Sequence, residues 1–140
     1  MPFTNYLDQR ITQLLFSNTA YTIPGTWYVA LSTTTPAQGA APNFTEPSGS
    51  GYARVAVTNN ATNWTAIASP PATGYTVQNN QPVPIPTATG SGWGTITYFG
   101  IYDAASAGNL VGFGALSASQ AISAGITPSF AVGTLTINNN

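Results

Sequence analysis

From Gly25 onward, the chain is a series of short runs in which apolar and polar residues alternate, separated by Gly, Pro, Asn and Ser. Alternation with a period of two places successive side chains on opposite faces of a β-strand. The runs are "TWYVALST", "YARVAVT", "NWTAI", "GYTVQ", "PVPIP", "WGTITYFGIYD", "LVGFGAL" and "SFAVGTLTI". About seven or eight strands at such short spacing predict an all-β fold, as an antiparallel sandwich or a jelly-roll-like barrel.

The side-chain orientation or the regularity of the strand can be predicted in two of these runs. In "WGTITYFGIYD", strict alternation places Phe99 and Ile101 on one face of the strand. The opposite face then carries Ile96, Tyr98 and Tyr102. In "SFAVGTLTI", we expect a single strand with Gly133 at a β-bulge, because glycine inside a strand often marks one.

The segment "TNYLDQRITQLLF" has a helical period instead. Its large aliphatic residues fall at positions i, i+4, i+7 and i+8, which is one face of an α-helix: Leu7, Ile11, Leu14 and Leu15. We predict one short N-terminal helix over residues 5–16, with Thr4 or Asn5 as its N-cap.

The chain is expected to form a single domain over residues 1–140. In this organisation the helix is attached to a β domain at 26–137. A long loop at 34–51 belongs to that domain, because too little sequence precedes it to build a separate core.

Charge is scarce: the chain has two Arg, three carboxylates, no Lys and no His, with a formal net charge of -1. A protein with two cations cannot neutralise a row of phosphates, so we expect no binding to nucleic acid. An anionic membrane surface is excluded for the same reason, and no run is long and apolar enough to span a bilayer. Low net charge leaves little repulsion between copies, which favours a homo-oligomer.

The scarcity of charged and titratable residues also limits the reactions that the chain could catalyse. Without His, Lys or Cys, the chain lacks the usual general bases and the thiol and amine nucleophiles, so we expect no enzyme and no catalytic residues. Glu46 and Asp103 are the only carboxylate pair outside the helix that could cleave a glycosidic bond. The favoured interpretation is structural: Glu46 pairs with Arg54, and Asp103 shapes the turn in "DAASAGN". Three scattered carboxylates also make a metal or cofactor site unexpected.

The aromatic residues allow two interpretations. One set of aromatic residues lies on alternating strand positions: Trp27, Trp64, Trp93, Phe99 and Phe113. We expect most of these side chains in the core, although they could also line a sugar-binding face. A second set is expected at a subunit interface, where Tyr is favoured. The candidate interface residues are Glu46, Tyr52, Arg54, Tyr98 and Tyr102.

Four segments together resemble a family of small virion proteins of tailed bacteriophages and prophages, often labelled tail-fibre-like or minor structural proteins. They are "NYLDQRITQLLFSNTAYTIPGTWYVALSTTTP", "EPSGSGYARVAV", "WGTITYFGIYDAASAGNLVGFGAL" and "FAVGTLTI". The most specific pieces are "GYARVAV" and "YFGIYDAASAGNL". The resemblance implies a non-enzymatic structural protein of the virion, assembled in the cytoplasm of the bacterial host.

Two virion roles remain open. A capsid decoration, or cement, protein is a compact β domain, usually a homotrimer, that binds the major capsid protein and stabilises the assembled shell. A tail-fibre or tail-tip module instead binds a host receptor, often a glycan. The absence of a long fibrous repeat favours the first role, so the main prediction is a trimeric decoration protein and the alternative is a fibre module.

Overall fold

The computed structural model describes residues 3–39, 42–65 and 76–138. Within these ranges the chain forms one helix, α1 (Asn5–Phe16), and eight strands. The strands are β1 (Thr26–Ser32), β2 (Val55–Thr58), β3 (Thr76–Gln78), β4 (Val83–Pro84), β5 (Gly94–Tyr102), β6 (Leu110–Ile122), β7 (Ser129–Phe130) and β8 (Thr136–Asn138). All of their pairings are antiparallel, which confirms the predicted all-β fold with one short helix.

The strands form one four-stranded sheet, in the order β2-β1-β5-β6, and two small sheets, β3-β8 and β4-β7. The main core lies on one face of the large sheet and includes residues from the small sheets and their flanking segments: Val29, Leu31, Phe99, Ile101, Val83, Ile85 and Leu135. A second apolar cluster lies on the opposite face: Ala30, Tyr102, Leu110 and Phe113. The described strands form no closed barrel, so the arrangement is compatible with the predicted sandwich rather than with a barrel.

A bulge between β5 and β6 corrects one prediction. Ile96 pairs with Gln120 and Tyr98 pairs with Ala115, so the single residue Thr97 lies opposite the segment 116–119. Such a bulge shifts the alternation of the side chains. The prediction that Ile96 lies on the face opposite Phe99 was wrong, because the bulge brings both into the main core.

The predicted strand "SFAVGTLTI" was also wrong as a single strand. It divides into β7 and β8 around Gly133, whose φ of +78° suits a turn and is unfavourable for other residues. The buried Asn79 holds this turn, since its side chain donates to the Ala131 carbonyl and accepts from the Leu135 N–H. Periodicity could not reveal a side chain that reaches the turn from a distant segment.

Two predicted strands extend beyond the described residues. Ala66 and Ile67 of "NWTAI", and Gly74 and Tyr75 of "GYTVQ", lie outside the described ranges. Within the described part, Trp64 forms an isolated antiparallel bridge with Asn79.

The start of α1 is attached to the first residues of β6. Thr4 occupies the predicted N-cap position, but its hydroxyl donates to the Leu110 carbonyl and makes no capping hydrogen bond to the helix. The Thr4 N–H donates to the Val111 carbonyl at 3.0 Å, and Phe3 bridges to Gly112. In the described ranges, no helix has the length and apolar character needed to cross a membrane.

Candidate functional site

Glu46 and Arg54 form the ion pair that the sequence predicted. The Arg54 Nε donates to Oε1 and Oε2 of Glu46 at 3.0 and 3.1 Å, and the Nη2 donates to Oε1 as well. The arginine side chain is only 7% exposed and the glutamate side chain 24%. Because Glu46 lies in the long loop and Arg54 directly precedes β2, the pair fastens that loop to the large sheet.

Arg54 makes further contacts that the sequence did not indicate. Its Nη1 donates to the carbonyls of Ala104 and Ala107, both at 2.8 Å, in the turn between β5 and β6. Its guanidinium carbon lies 3.5 Å from the centroid of the Tyr102 ring, within the range of a cation–π contact. We refer to Arg54, Glu46, Tyr102 and these two carbonyls as the arginine clamp, which ties three segments together.

Tyr52 extends the arginine clamp toward the main core. Its hydroxyl donates to Glu46 Oε2 at 2.8 Å and accepts from the Leu31 N–H at 2.9 Å. Its ring packs edge-on against Trp93, with centroids 5.3 Å apart. Burial, aided by the neighbouring carboxylate of Glu46, raises the pKa of the Tyr52 hydroxyl, which therefore remains a neutral hydrogen-bond donor.

Asp103 performs the predicted turn role. It accepts from the backbone N–H and the side-chain amide of Asn109, at 2.6 and 2.8 Å. Gly108 completes this turn with a φ of +69°, and an added Cβ there would lie 2.5 Å from Asp103 Oδ1. Both Glu46 and Asp103 thus have hydrogen-bond donors within the chain, as the structural interpretation requires. Within the described ranges, no group of three or more potential metal-ligating side chains is present.

Tyr98 and Tyr102 lie on the same face of β5, in or beside the second apolar cluster. Burial is the main factor that raises the pKa of Tyr102. This ring makes a T-shaped contact with Phe44 of the long loop, with centroids 5.4 Å apart and planes at 78°. Sequence reasoning missed Phe44, although a lone large apolar residue in a polar loop is a signal that the loop packs down. The interface role of the five candidate residues stays a prediction.

A cleft of about 650 Å³, with a mixed polar and apolar lining, opens beside the second apolar cluster. It lies between the start of α1, the long loop and the β5–β6 turn. Its described lining carries amides and aromatic rings and no charged side chain; the lining includes Asn5, Tyr6, Gln9, Asn43, Phe44 and Asn109. Amides beside aromatic rings suit a neutral ligand with hydroxyl groups.

The end of α1 presents apolar side chains to solvent. We call Leu14, Leu15 and Phe16 the helix tip. Phe16 is 84% exposed and Leu15 is 67% exposed, and Ile23 in the following segment is exposed too. No residue of α1 is fully buried. The apolar face predicted from the helical period therefore exists, but the described residues of the same chain leave its C-terminal half uncovered.

An apolar groove of about 570 Å³ lies beside the second half of β6. It is bounded by the bulged part of β6 and by the segment that leads into β7. Its lining includes Leu31, Phe99, Leu116, Ile126 and Phe130, and no charged side chain occurs among the described lining residues.

Comparison with protein families agrees with this picture of a structural module. The chain matches a family described as "Podophage GP4 fiber I protein gp80" over residues 2–138. A search of curated proteins gave no match. The match spans nearly the full sequence and confirms the resemblance to tailed-phage virion proteins. The chain therefore belongs to the podophage GP4 fiber I protein gp80 family, a family of virion structural proteins.

Proposed function

We propose that this protein is a non-enzymatic subunit of a tailed-phage fibre, which assembles with further copies of itself and joins other proteins of the virion. The observation that carries the proposal is the uncovered, uncharged helix tip on a chain of a fibre family. Exposed apolar surface of this kind marks an interaction site in the assembled state.

The exposed residues make assembly energetically favourable. Burying a Leu, Ile or Phe side chain contributes about 1.5–3 kcal/mol relative to full exposure. Phe16 and Leu15 are mostly exposed, so covering these two side chains alone offers about 2–4 kcal/mol. A net charge of -1 adds little opposing repulsion between copies.

The family assignment favours the fibre alternative over the capsid decoration protein that was our main prediction from the sequence. We retain the proposal of a homotrimer and of a single domain over residues 1–140, assembled in the bacterial cytoplasm. The major capsid protein becomes the less favoured partner, because no described feature indicates shell binding. The clamp residues act inside the chain, which supports a structural role without catalysis.

A second function, recognition of a neutral host glycan, is favoured by the cleft beside the second apolar cluster. Aromatic rings can stack on sugar rings, and amides can exchange hydrogen bonds with sugar hydroxyls. Titration of neutral oligosaccharides should give saturable binding that Gln9→Ala weakens. Gln13→Ala, on the same helix but outside the cleft, should leave binding unchanged. Equal loss in both variants, or no binding at all, would remove this second function.

Antibody labelling of intact virions tests the fibre assignment. Antibodies raised against the purified chain should decorate fibres at the tail, as seen by negative-stain electron microscopy. Labelling distributed over the capsid surface would instead support the decoration protein and contradict the fibre proposal.

A further inference from the structure

We infer that the helix tip of one copy binds in the apolar groove of the next copy, which gives a head-to-tail contact between identical chains. This inference rests on the proposed homo-oligomer and specifies which two surfaces meet. Both surfaces are present on every chain, so a single contact type can be repeated from copy to copy.

The helix tip has the properties of an inserting element. Leu14, Leu15 and Phe16 end α1, and Phe16 is the most exposed of the large apolar side chains in the described ranges. The start of the helix is anchored to β6 through Thr4, so the tip projects from a fixed base. An amphipathic helix in water needs a partner for its apolar face.

The groove has the complementary properties. Its volume of about 570 Å³ is large enough for more than one bulky side chain, and its described lining is uncharged. The bulge at 116–119 removes Leu116 and Ala118 from regular pairing with β5, and both line the groove, Leu116 half-buried against the main core and Ala118 exposed. Bulges are frequent at sheet edges, where they re-aim side chains or end the regular pairing.

A second copy is the occupant that these two surfaces favour. The helix tip and the groove are both apolar and uncharged, and the described residues of the same chain leave both open to solvent. Pairing two helix tips with each other would leave both grooves empty, whereas insertion covers both surfaces at once. A contact between two different surfaces closes into a ring when its rotation permits, which agrees with the proposed trimer.

Complementation between two variants tests the inference. Phe16→Asp disables the helix tip and leaves the groove intact, whereas Ile126→Asp disables the groove and leaves the tip intact. Ile126 is 41% exposed, so the replacement acts at the surface. Ala118→Asp provides a second groove variant at an exposed position. Val132→Asp is the matched control, because Val132 is 53% exposed and lies outside both surfaces.

Self-association of each variant is measured by sedimentation velocity over a range of concentrations. Each single variant should weaken self-association by at least about tenfold, while Val132→Asp should associate like the original chain. An equimolar mixture of the Phe16→Asp and Ile126→Asp chains should form a heterodimer, since one intact tip meets one intact groove. Circular dichroism verifies that each variant is folded.

Three results would overturn the inference. They are a monomeric original chain at all concentrations, unchanged association in Phe16→Asp, or no heterodimer in the mixture of folded variants. None of them removes the fibre assignment, which is decided by antibody labelling of virions.

Discussion

Replacing Arg54 should have the largest effect on stability of any single charged-residue change in this chain. The side chain is 7% exposed, and it forms an ion pair with Glu46, donates to two backbone carbonyls and lies against the Tyr102 ring. Removing one partner of a buried ion pair costs about 3–5 kcal/mol. Because Glu46 retains 24% exposure and can recover some hydration, we take the lower end, about 3 kcal/mol.

A loss of that size should be visible as a fall in melting temperature. For a domain of this length, about 3 kcal/mol corresponds to a decrease in Tm of about 6–12 °C. Scanning calorimetry of Arg54→Ala measures the change, and Arg54→Lys should recover little, because an ammonium cannot serve the same set of acceptors. A double-mutant cycle with Glu46→Ala should give a coupling energy above about 1 kcal/mol.

The other arginine provides the control. Arg10 makes one long hydrogen bond to Gln13, at 3.4 Å, and lies 5.2 Å from the Tyr6 ring centroid. Arg10→Ala should therefore change the free energy of unfolding by less than about 1 kcal/mol. If Arg54→Ala and Arg10→Ala shift Tm equally, the arginine clamp does not stabilise the fold as described.

Three further predictions concern packing and pH. An added Cβ at Gly100 would lie 2.5 Å from Phe44 Cε2, so Gly100→Ala should lower stability by about 1–3 kcal/mol in urea unfolding. Gly25→Ala should be neutral, because no described atom beyond its two sequence neighbours lies within 4 Å of the added Cβ, and equal losses would contradict this account of the loop contact. Tyr52→Phe removes the acceptor of the Leu31 N–H and should cost about 1–3 kcal/mol at neutral pH, again by urea unfolding; no change would mean that this hydrogen bond is not needed. The pKa of Tyr52 is raised in the folded protein, so the unfolded chain ionises at this residue first as the pH rises. The stabilisation that the neutral Tyr52 hydroxyl gives the folded state is therefore fully present below about pH 10 and is lost as the pH rises further. Urea unfolding at about pH 8 and pH 11 should show a smaller alkaline loss for Tyr52→Phe than for the original chain, and identical losses would refute this explanation.

Much of the secondary structure could be predicted from the sequence, because alternation and helical period are local. The Glu46–Arg54 pair was also predictable, since few other charges were available to either residue. The β5–β6 bulge was not predictable, because register depends on packing between strands rather than on one strand alone. The turn at Gly133 was not predictable either, because it depends on hydrogen bonds from Asn79, which is distant in sequence.

The candidate surfaces, too, could be predicted from the sequence only in part. The helical period indicates that Leu14 and Leu15 belong to an apolar face, but it contains no information about what covers that face. The carbonyl acceptors of Ala104 and Ala107 are backbone groups, so no side-chain pattern marks them. Phe44 contacts Tyr102 across a large separation in sequence, which only the folded loop brings together.

The most direct test of the fibre assignment is the number of copies of this chain in each virion. Quantitative mass spectrometry of purified particles, with the major capsid protein as the internal standard, provides that number. A fibre subunit should be present at a small fraction of the capsid protein and should be lost from particles that lack tail fibres. A copy number close to that of the major capsid protein, retained in tailless particles, would contradict the account.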